Sequence, residues 1–114
     1  MEAVQLAKGK REAVHSGITA TATSNELQAK GSNALILYFN LTAGSGTWSI
    51  KIQGKGPNGT FVDMYKEDGN AMAIASATAS KAQVFKGIPE YFKIVATEND
   101  GTATVSVGYE LLSV

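Results

Sequence analysis

Apolar and polar residues alternate along most of the chain, and glycine-rich segments separate the alternating runs. One run covers residues 34–42, and a second covers residues 47–53, where Trp48, Ile50 and Ile52 fall on the same side. This period of two is typical of β-strands that bury one face. Because the glycine-containing residues 44–46 separate the two runs, the pattern predicts a hairpin whose two strands face the same core.

Five further runs predict additional strands. The pair Asn58 and Gly59 predicts a tight hairpin turn before the strand at residues 61–65, and Asp100 and Gly101 predict another before the last strand. Seven or eight short strands at this spacing predict an all-β fold, an antiparallel β-sandwich or barrel. The five runs cover residues 18–23, 61–65, 84–85, 91–97 and 104–111.

Two segments allow more than one structure. Residues 71–79 are rich in alanine, which favours a helix, but Met72 and Ile74 alternate with the alanines as in a strand. The neighbouring strands favour the strand prediction. Residues 1–16 form an edge strand, a short helix or an extended arm, because their apolar residues follow no clear period. We divide the chain into an N-terminal arm, residues 1–16, and a single β-sandwich domain, residues 17–114.

Composition narrows the functional classes. The 114 residues contain 10 Lys and Arg, 10 Asp and Glu, and no cysteine. Zero net charge argues against nucleic-acid binding driven by phosphate neutralisation, and the missing cysteines exclude disulfides and thiolate sites. No apolar run has the length of a membrane span or of a secretory signal core. We expect synthesis in the cytoplasm and no binding to nucleic acids or membranes.

Candidate catalytic and metal-binding residues are few. His15 is the single histidine, and we expect it to be an exposed polar residue of the arm. Ser45 lies between two glycines but has no credible base. The acidic residues between Asp63 and Asn70 match turn chemistry, with a bound cation as a minor alternative. We therefore expect no enzymatic activity, no cofactor and no metal.

Three tyrosines fall in the outward register of their strands: Tyr38, Tyr65 and Tyr91. If they are exposed, they are available to a protein partner or, when coplanar, to a sugar. Only 18% of the residues are charged, so removing water from the surface costs little free energy. This favours a protein partner.

The chain resembles small β-sandwich proteins of tailed-phage virions, of the capsid decoration or head auxiliary type. The resemblance lies in Trp48–Asp63, where an Ile and a Gln precede a glycine turn, an aromatic residue and an Asp. It continues through Tyr91–Thr97, the pair Gly101 and Thr102, and Thr104–Leu111. The order and spacing match over residues 34–112.

The resemblance implies a virion structural protein without an active site. We expect a capsid decoration protein that stabilises the assembled shell as a homo-oligomer, with a trimer as the expected form. Its partners would be further copies of itself and the major capsid protein, and its location the virion. A tail, neck or fibre component and a carbohydrate- or surface-binding module are the alternatives. The expected interface residues are Val4, Leu6, Lys8, Lys10, Arg11, Tyr38, Tyr65, Met72 and Ile74.

Overall fold

The computed structural model describes residues 7–8, 11–42, 46–101 and 103–113, which form eleven β-strands. The all-β prediction is confirmed. Short extra segments such as β1, β3 and β4, with two residues each, raise the number of strands above the predicted seven or eight. None of the described residues belongs to a helix long and apolar enough to cross a membrane. The strands are β1 (Ala7–Lys8), β2 (Glu12–Ile18), β3 (Ala22–Thr23), β4 (Leu27–Gln28), β5 (Ala34–Thr42), β6 (Gly46–Lys55), β7 (Phe61–Asp63), β8 (Ala73–Ala77), β9 (Lys81–Lys86), β10 (Tyr91–Gly101) and β11 (Thr104–Ser113).

The strands form two antiparallel sheets that pack face to face. In the first sheet, β11 and β5 are central, β1 and β2 pair with the free side of β11, and β9 pairs with β5. In the second sheet, β10 and β6 are central, β3 and β4 pair with β10, and β7 and β8 pair with β6. The architecture is therefore a β-sandwich, in which each sheet has two long central strands and short segments at its edges.

The four central strands form one long antiparallel ribbon that folds back on itself. In the first sheet, β5 and β11 pair from Ala34 opposite Leu112 to Thr42 opposite Thr104. In the second sheet, β6 and β10 pair from Gly46 opposite Gly101 onward, with a bulge between Glu98 and Asp100. The chain thus passes between the sheets twice at the same corner, once from β5 to β6 and once from β10 to β11, as in sandwiches whose strands switch sheets at bends.

This topology corrects two predicted hairpins and confirms a third. The strands β5 and β6 are consecutive but belong to different sheets, and so do β10 and β11. Alternation fixes which side of a strand is buried, and that side is the same whether two strands lie side by side or face each other across the core. The Asn58 and Gly59 turn does join a true hairpin, because β6 and β7 pair directly.

The core consists of the inward side chains of both sheets. Phe92 of β10 and Tyr109 of β11 meet edge to face across the sandwich, with ring centroids 5.6 Å apart. This geometry is one of the two that aromatic pairs favour. The largest fully buried side chains are those of Trp48, Phe85, Phe92, Leu35, Leu37, Ile50, Ile52, Met72, Ile94 and Val105.

The alanine-rich segment is a strand, as predicted, but its apolar residues point inward. Met72 precedes β8 and Ile74 lies within it, and both belong to the core, with 1% and 5% exposure. Their assignment to a partner interface was therefore wrong. The larger side chains of this segment fill the core beside β6, because burying Met and Ile removes more apolar surface from water. Of the small residues, Ala75 and Ser76 are exposed, whereas Ala77 is buried with the core.

The N-terminal region enters the sandwich earlier than predicted. The strand β2 begins at Glu12 and pairs with β11, so the boundary drawn at residue 16 falls inside a strand. His15 is 7% exposed, and its Nε2 lies 3.1 Å from the carbonyl oxygen of Ile94 in the opposite sheet. The expectation of an exposed histidine was wrong, because the β2–β11 pairing turns this ring into the space between the sheets.

The turn before β5 is held by the carboxylate of Glu90, which accepts hydrogen bonds from the backbone N–H groups of Lys30 and Gly31, each at 3.1 Å. The Gly31 bond is the largest cause that lowers the pKa of Glu90 below its usual value. The pKa of Glu90 is lower in the folded protein than in the unfolded chain. The hydrogen bonds of its carboxylate therefore stabilise the fold at pH values above the unfolded pKa, and this stabilisation is lost as the pH falls through the folded pKa.

We therefore expect acid to loosen this turn. In an NMR titration, the Lys30 and Gly31 amide shifts should follow the titration of Glu90, with a midpoint below that of a free glutamate. The Glu90→Gln variant should remove this step while leaving the β5–β11 amides unchanged. Amide shifts of Lys30 and Gly31 that titrate in the same way in Glu90→Gln would contradict the assignment.

Candidate partner-binding surface

The outer face of the first sheet contains a shallow groove of about 510 Å³. It runs over β11, between β2 and the outward side chains of β5 and β9. Tyr38 points outward into it because its neighbours Leu37 and Phe39 are buried on the inner face. We call it the Arg11–Tyr38 groove. Its lining comes from Arg11, Glu12, Ala13, His15, Ser16, Tyr38, Phe39, Asn40, Lys81, Ala82, Ser106, Val107 and Gly108.

Small residues of β11 form the floor of the groove. A Cβ atom on Gly108 would lie 2.9 Å from the backbone oxygen of Glu12, so only glycine allows β2 to approach this closely. The hydroxyl of Ser106 accepts a hydrogen bond of 2.8 Å from the backbone N–H of Gly17, whose φ is +57°. The β2–β11 pairing shifts register on both sides of Val107. Such bulges commonly re-aim side chains at functional surfaces.

Replacing Gly108 with alanine should displace β2 from this floor. The added Cβ meets backbone rather than a flexible side chain, so we expect a loss of about 1–3 kcal/mol in the free energy of unfolding. Chemical denaturation measures the loss, and hydrogen exchange should show faster exchange in β2 than in β9. The control Ala82→Val adds bulk at an exposed position of the same groove and should leave stability nearly unchanged. Equal effects of both variants would contradict the tight β2–β11 approach.

One end of the groove is built around Arg11. Its guanidinium carbon lies 3.9 Å from the centroid of the Tyr38 ring, and its Nε is 4.0 Å from Oε1 of Glu110. The Glu110 side chain is 9% exposed, whereas that of Arg11 is 62% exposed. The planar cation is therefore held by stacking and by a shielded carboxylate, while most of its surface stays available to a partner.

Other charges flank this arrangement. Lys81 lies on the β9 side of the groove and Glu12 on the β2 side. Burial raises the pKa of Tyr109, and the carboxylate of Glu12 adds to the shift. The groove thus offers one oriented guanidinium, one lysine and several small polar groups, a combination that suits contact with a polar, partly acidic protein surface.

The structure brings together two of the nine predicted interface residues, Arg11 and Tyr38. Tyr65 is 62% exposed but lies outside the groove, in a separate cleft that also contains the end of β9. Lys8 belongs to β1, where its backbone pairs with Leu112. The predictions for Val4, Leu6 and Lys10 lie outside the described residues.

The exposed tyrosines do not share a plane. Tyr38 faces outward from the first sheet, and Tyr91 faces outward from the second, because its neighbour Phe92 is fully buried. Tyr65 forms an isolated bridge with Ala71 at the edge of the second sheet. A sugar platform requires coplanar rings, so the alternative of a carbohydrate-binding module has lost the feature that suggested it.

A second cluster, on the outer face of the second sheet, was missed by sequence reasoning. Lys93 lies over the Phe61 ring at 4.4 Å, and Lys55 lies 5.4 Å from the Tyr91 centroid. Lys51 pairs with Asp63 at 2.9 Å. These residues come from three strands, and only the β7–β6–β10 register could have shown that they meet.

Two of the acidic residues considered for a cation, Asp63 and Asp68, have other partners. Asp63 accepts a hydrogen bond from Gln53, which with Lys51 lowers the pKa of the Asp63 carboxyl. Asp68 accepts the backbone N–H of Asn70 at 2.9 Å, as in an ordinary Asx turn. Within the described ranges, the structure contains no group of three or more His, Asp or Glu side chains arranged to hold a metal ion.

Comparisons with known proteins extend the description of the fold. No protein-family model matches the chain, and no curated protein matches its sequence. Among solved structures, it is similar to the crystal structure of the SPBc2 prophage-derived protein YomS, with a TM-score of 0.66 and 17% sequence identity. The match covers 99% of each chain. The two proteins therefore share the whole sandwich fold and not only a common sheet.

Proposed function

We propose that this protein is a structural component of a phage particle, and more narrowly a decoration protein that binds the assembled capsid. The observation that supports the proposal most is the full-length similarity of its fold to a prophage-derived protein. The resemblance of residues 34–112 to small virion proteins points in the same direction. The proposal assigns binding to this chain and no reaction.

The Arg11–Tyr38 groove is the surface that we assign to the shell. An exposed arginine held by an aromatic ring and a buried carboxylate has little side-chain freedom to lose on binding. Arginine and tyrosine are also the residue types that contribute most to protein interfaces. A shell with a carboxylate at the matching position would accept the guanidinium and exclude water from the groove.

Residues that precede β1 would extend this contact. The arm predicted to cover residues 1–16 is limited in our proposal to residues 1–6, because Ala7–Lys8 and Glu12–Ile18 are both part of the first sheet. A deletion designed to remove the arm without damaging the sandwich or removing Arg11 should therefore end before Ala7. Each bound copy would stabilise the assembled shell by mass action, because it binds the assembled state and not the free subunits.

Co-sedimentation tests the proposal. The full chain is mixed separately with purified heads and purified tails of the phage whose genome encodes it, and the bound fraction is measured at rising concentration. Saturable binding to heads alone supports decoration. Binding to tails alone would move the protein to the tail, neck or fibre alternative, and binding to neither would refute the virion role.

Homo-oligomer formation is a separate part of the proposal. Light scattering of the free protein at tens of micromolar should give the mass of a trimer if the oligomer forms before it binds the shell. A mass close to 11.9 kDa would show that the free protein is a monomer. The number of copies at each capsid position would then depend on the symmetry of the shell.

A further inference from the structure

The strand β9 (Lys81–Lys86) forms an open edge of the first sheet. Among the described strands it pairs only with β5, so one side of its backbone faces away from the sheet. An exposed strand edge presents unpaired N–H and C=O groups and can accept a further strand. Val84, at the centre of β9, is 47% exposed.

A cleft of about 590 Å³ lies beside this edge. Its opposite wall is the turn that begins at Tyr65, whose side chain is 62% exposed. Phe85 lines the cleft from the core side and is itself 1% exposed. The edge is therefore accompanied by a recess with two exposed apolar side chains, which an added strand could cover on one of its faces.

The charges around β9 indicate what such a strand would carry. Lys81 and Lys86 stand at the two ends of β9, and the paired strand β5 contains no charged residue. In the part of the chain that the structure describes, no ion pair involves either lysine. A second copy paired through β9 about a two-fold axis, in the register that pairs the whole strand, would place Lys81 of each copy opposite Lys86 of the other. Like charges directly opposite are destabilising, so this edge disfavours self-pairing and favours acidic partners.

We propose that β9 is a strand-addition site for an extended segment of another protein, with an acidic side chain opposite each of Lys81 and Lys86 and apolar residues between them. The backbone edge supplies hydrogen bonds, and the Tyr65–Val84 cleft receives one apolar side chain, as in other cases of β-augmentation. The spacing of five positions between the acids follows from the separation of the two lysines along β9. The strand-addition site does not depend on the proposed shell binding: Lys81 also lines the Arg11–Tyr38 groove, but the Tyr65–Val84 cleft and Lys86 lie outside it.

A synthetic peptide tests this site. The probe has the central sequence Glu-Leu-Val-Thr-Val-Glu between Gly-Ser flanks, and the matched control has lysine in place of both glutamates. NMR spectra of the isotope-labelled full chain should show shifts confined to β9 and the Tyr65 turn with the glutamate probe, and none with the lysine control. The proposal would be overturned if β9 showed no shift with the glutamate probe at concentrations up to about 1 mM, which is the range of weak affinity. Equal shifts with both peptides would overturn it as well.

Variants of the two lysines give an independent check. The double variant Lys81→Gln and Lys86→Gln should weaken binding of the glutamate probe about tenfold at low salt, because two exposed ion pairs are lost. The control Lys51→Gln and Lys93→Gln makes the same charge change on the other sheet and should leave binding unchanged. Self-association of the double lysine variant, together with no binding of the probe to the wild-type chain, would show that the lysines only prevent pairing between copies. That result would refute the strand-addition site.

Discussion

Replacing Trp48 with alanine should reduce the free energy of unfolding by about 3–5 kcal/mol, the range for deleting a large buried aromatic side chain. Trp48 is fully buried, and its Nε1 donates a hydrogen bond of 3.0 Å to the carbonyl oxygen of Ala103. That bond joins β6 of the second sheet to the residue that precedes β11 of the first sheet. The side chain therefore holds the corner at which the folded ribbon passes between the sheets.

A second variant separates packing from hydrogen bonding. Trp48→Phe keeps most of the ring but leaves the Ala103 carbonyl without this donor, so we expect a smaller loss of about 1–3 kcal/mol. Urea denaturation measures both values. The control Val62→Ala removes an apolar side chain that is 52% exposed and should change stability little. A Trp48→Ala loss no larger than that of the control would contradict the assignment of Trp48 to the core of the corner.

Changing Arg11 to glutamate should weaken binding to the shell by at least tenfold, since interface arginines often contribute about 2 kcal/mol or more. The substitution removes the stacked guanidinium and places a carboxylate beside that of Glu110. The Arg11 side chain is 62% exposed, so we expect the fold to survive. Co-sedimentation with heads measures the affinity, and circular dichroism confirms that the sandwich is intact.

Two further variants make the Arg11 experiment specific. Arg11→Lys keeps the charge but loses the planar group that stacks on Tyr38, so its affinity should fall between those of wild type and Arg11→Glu. Lys93→Glu makes the same change of charge on the outer face of the second sheet, where Lys93 covers Phe61, and should bind normally. Equal losses of affinity for Lys93→Glu and Arg11→Glu would indicate a general effect of charge. They would contradict the assignment of the Arg11–Tyr38 groove to shell binding.

Much of the fold follows from short-range patterns. Alternation predicts most of the long strands and their buried sides, and Trp48, Ile50 and Ile52 do face the core. The alanine-rich segment is a strand despite its helical propensity, because tertiary pairing with β6 overrides propensity. For most of the long strands, the buried side was therefore predictable from the residues alone.

The pairing of the strands was not predictable in the same way. A glycine-containing turn can connect two neighbouring strands of one sheet or two strands that face each other across a core. The alternation of apolar and polar residues is the same in both cases. The difference depends on the β5–β11 and β6–β10 ladders, whose partners are distant in sequence. The predicted hairpin between β5 and β6 failed for this reason.

The candidate site depends on the same long-range pairing. Arg11 and Tyr38 meet only because β2 and β5 both pair with β11, and neither residue signals this in its local sequence. His15 was misplaced for the same reason, since its burial comes from the position of β2 over Ile94. Ile74 was predicted in the correct strand but on the wrong side of it, and Met72, which precedes that strand, is buried as well.

A cryo-electron microscopy map of phage heads saturated with the purified chain would show directly which face of the sandwich meets the shell. We expect one density for the sandwich at each binding position, with the outer face of the first sheet, and Arg11 at its centre, turned toward the capsid subunits. Density on the tail, or density on the shell with the Lys93 and Phe61 face of the second sheet in contact, would contradict shell binding through the Arg11–Tyr38 groove.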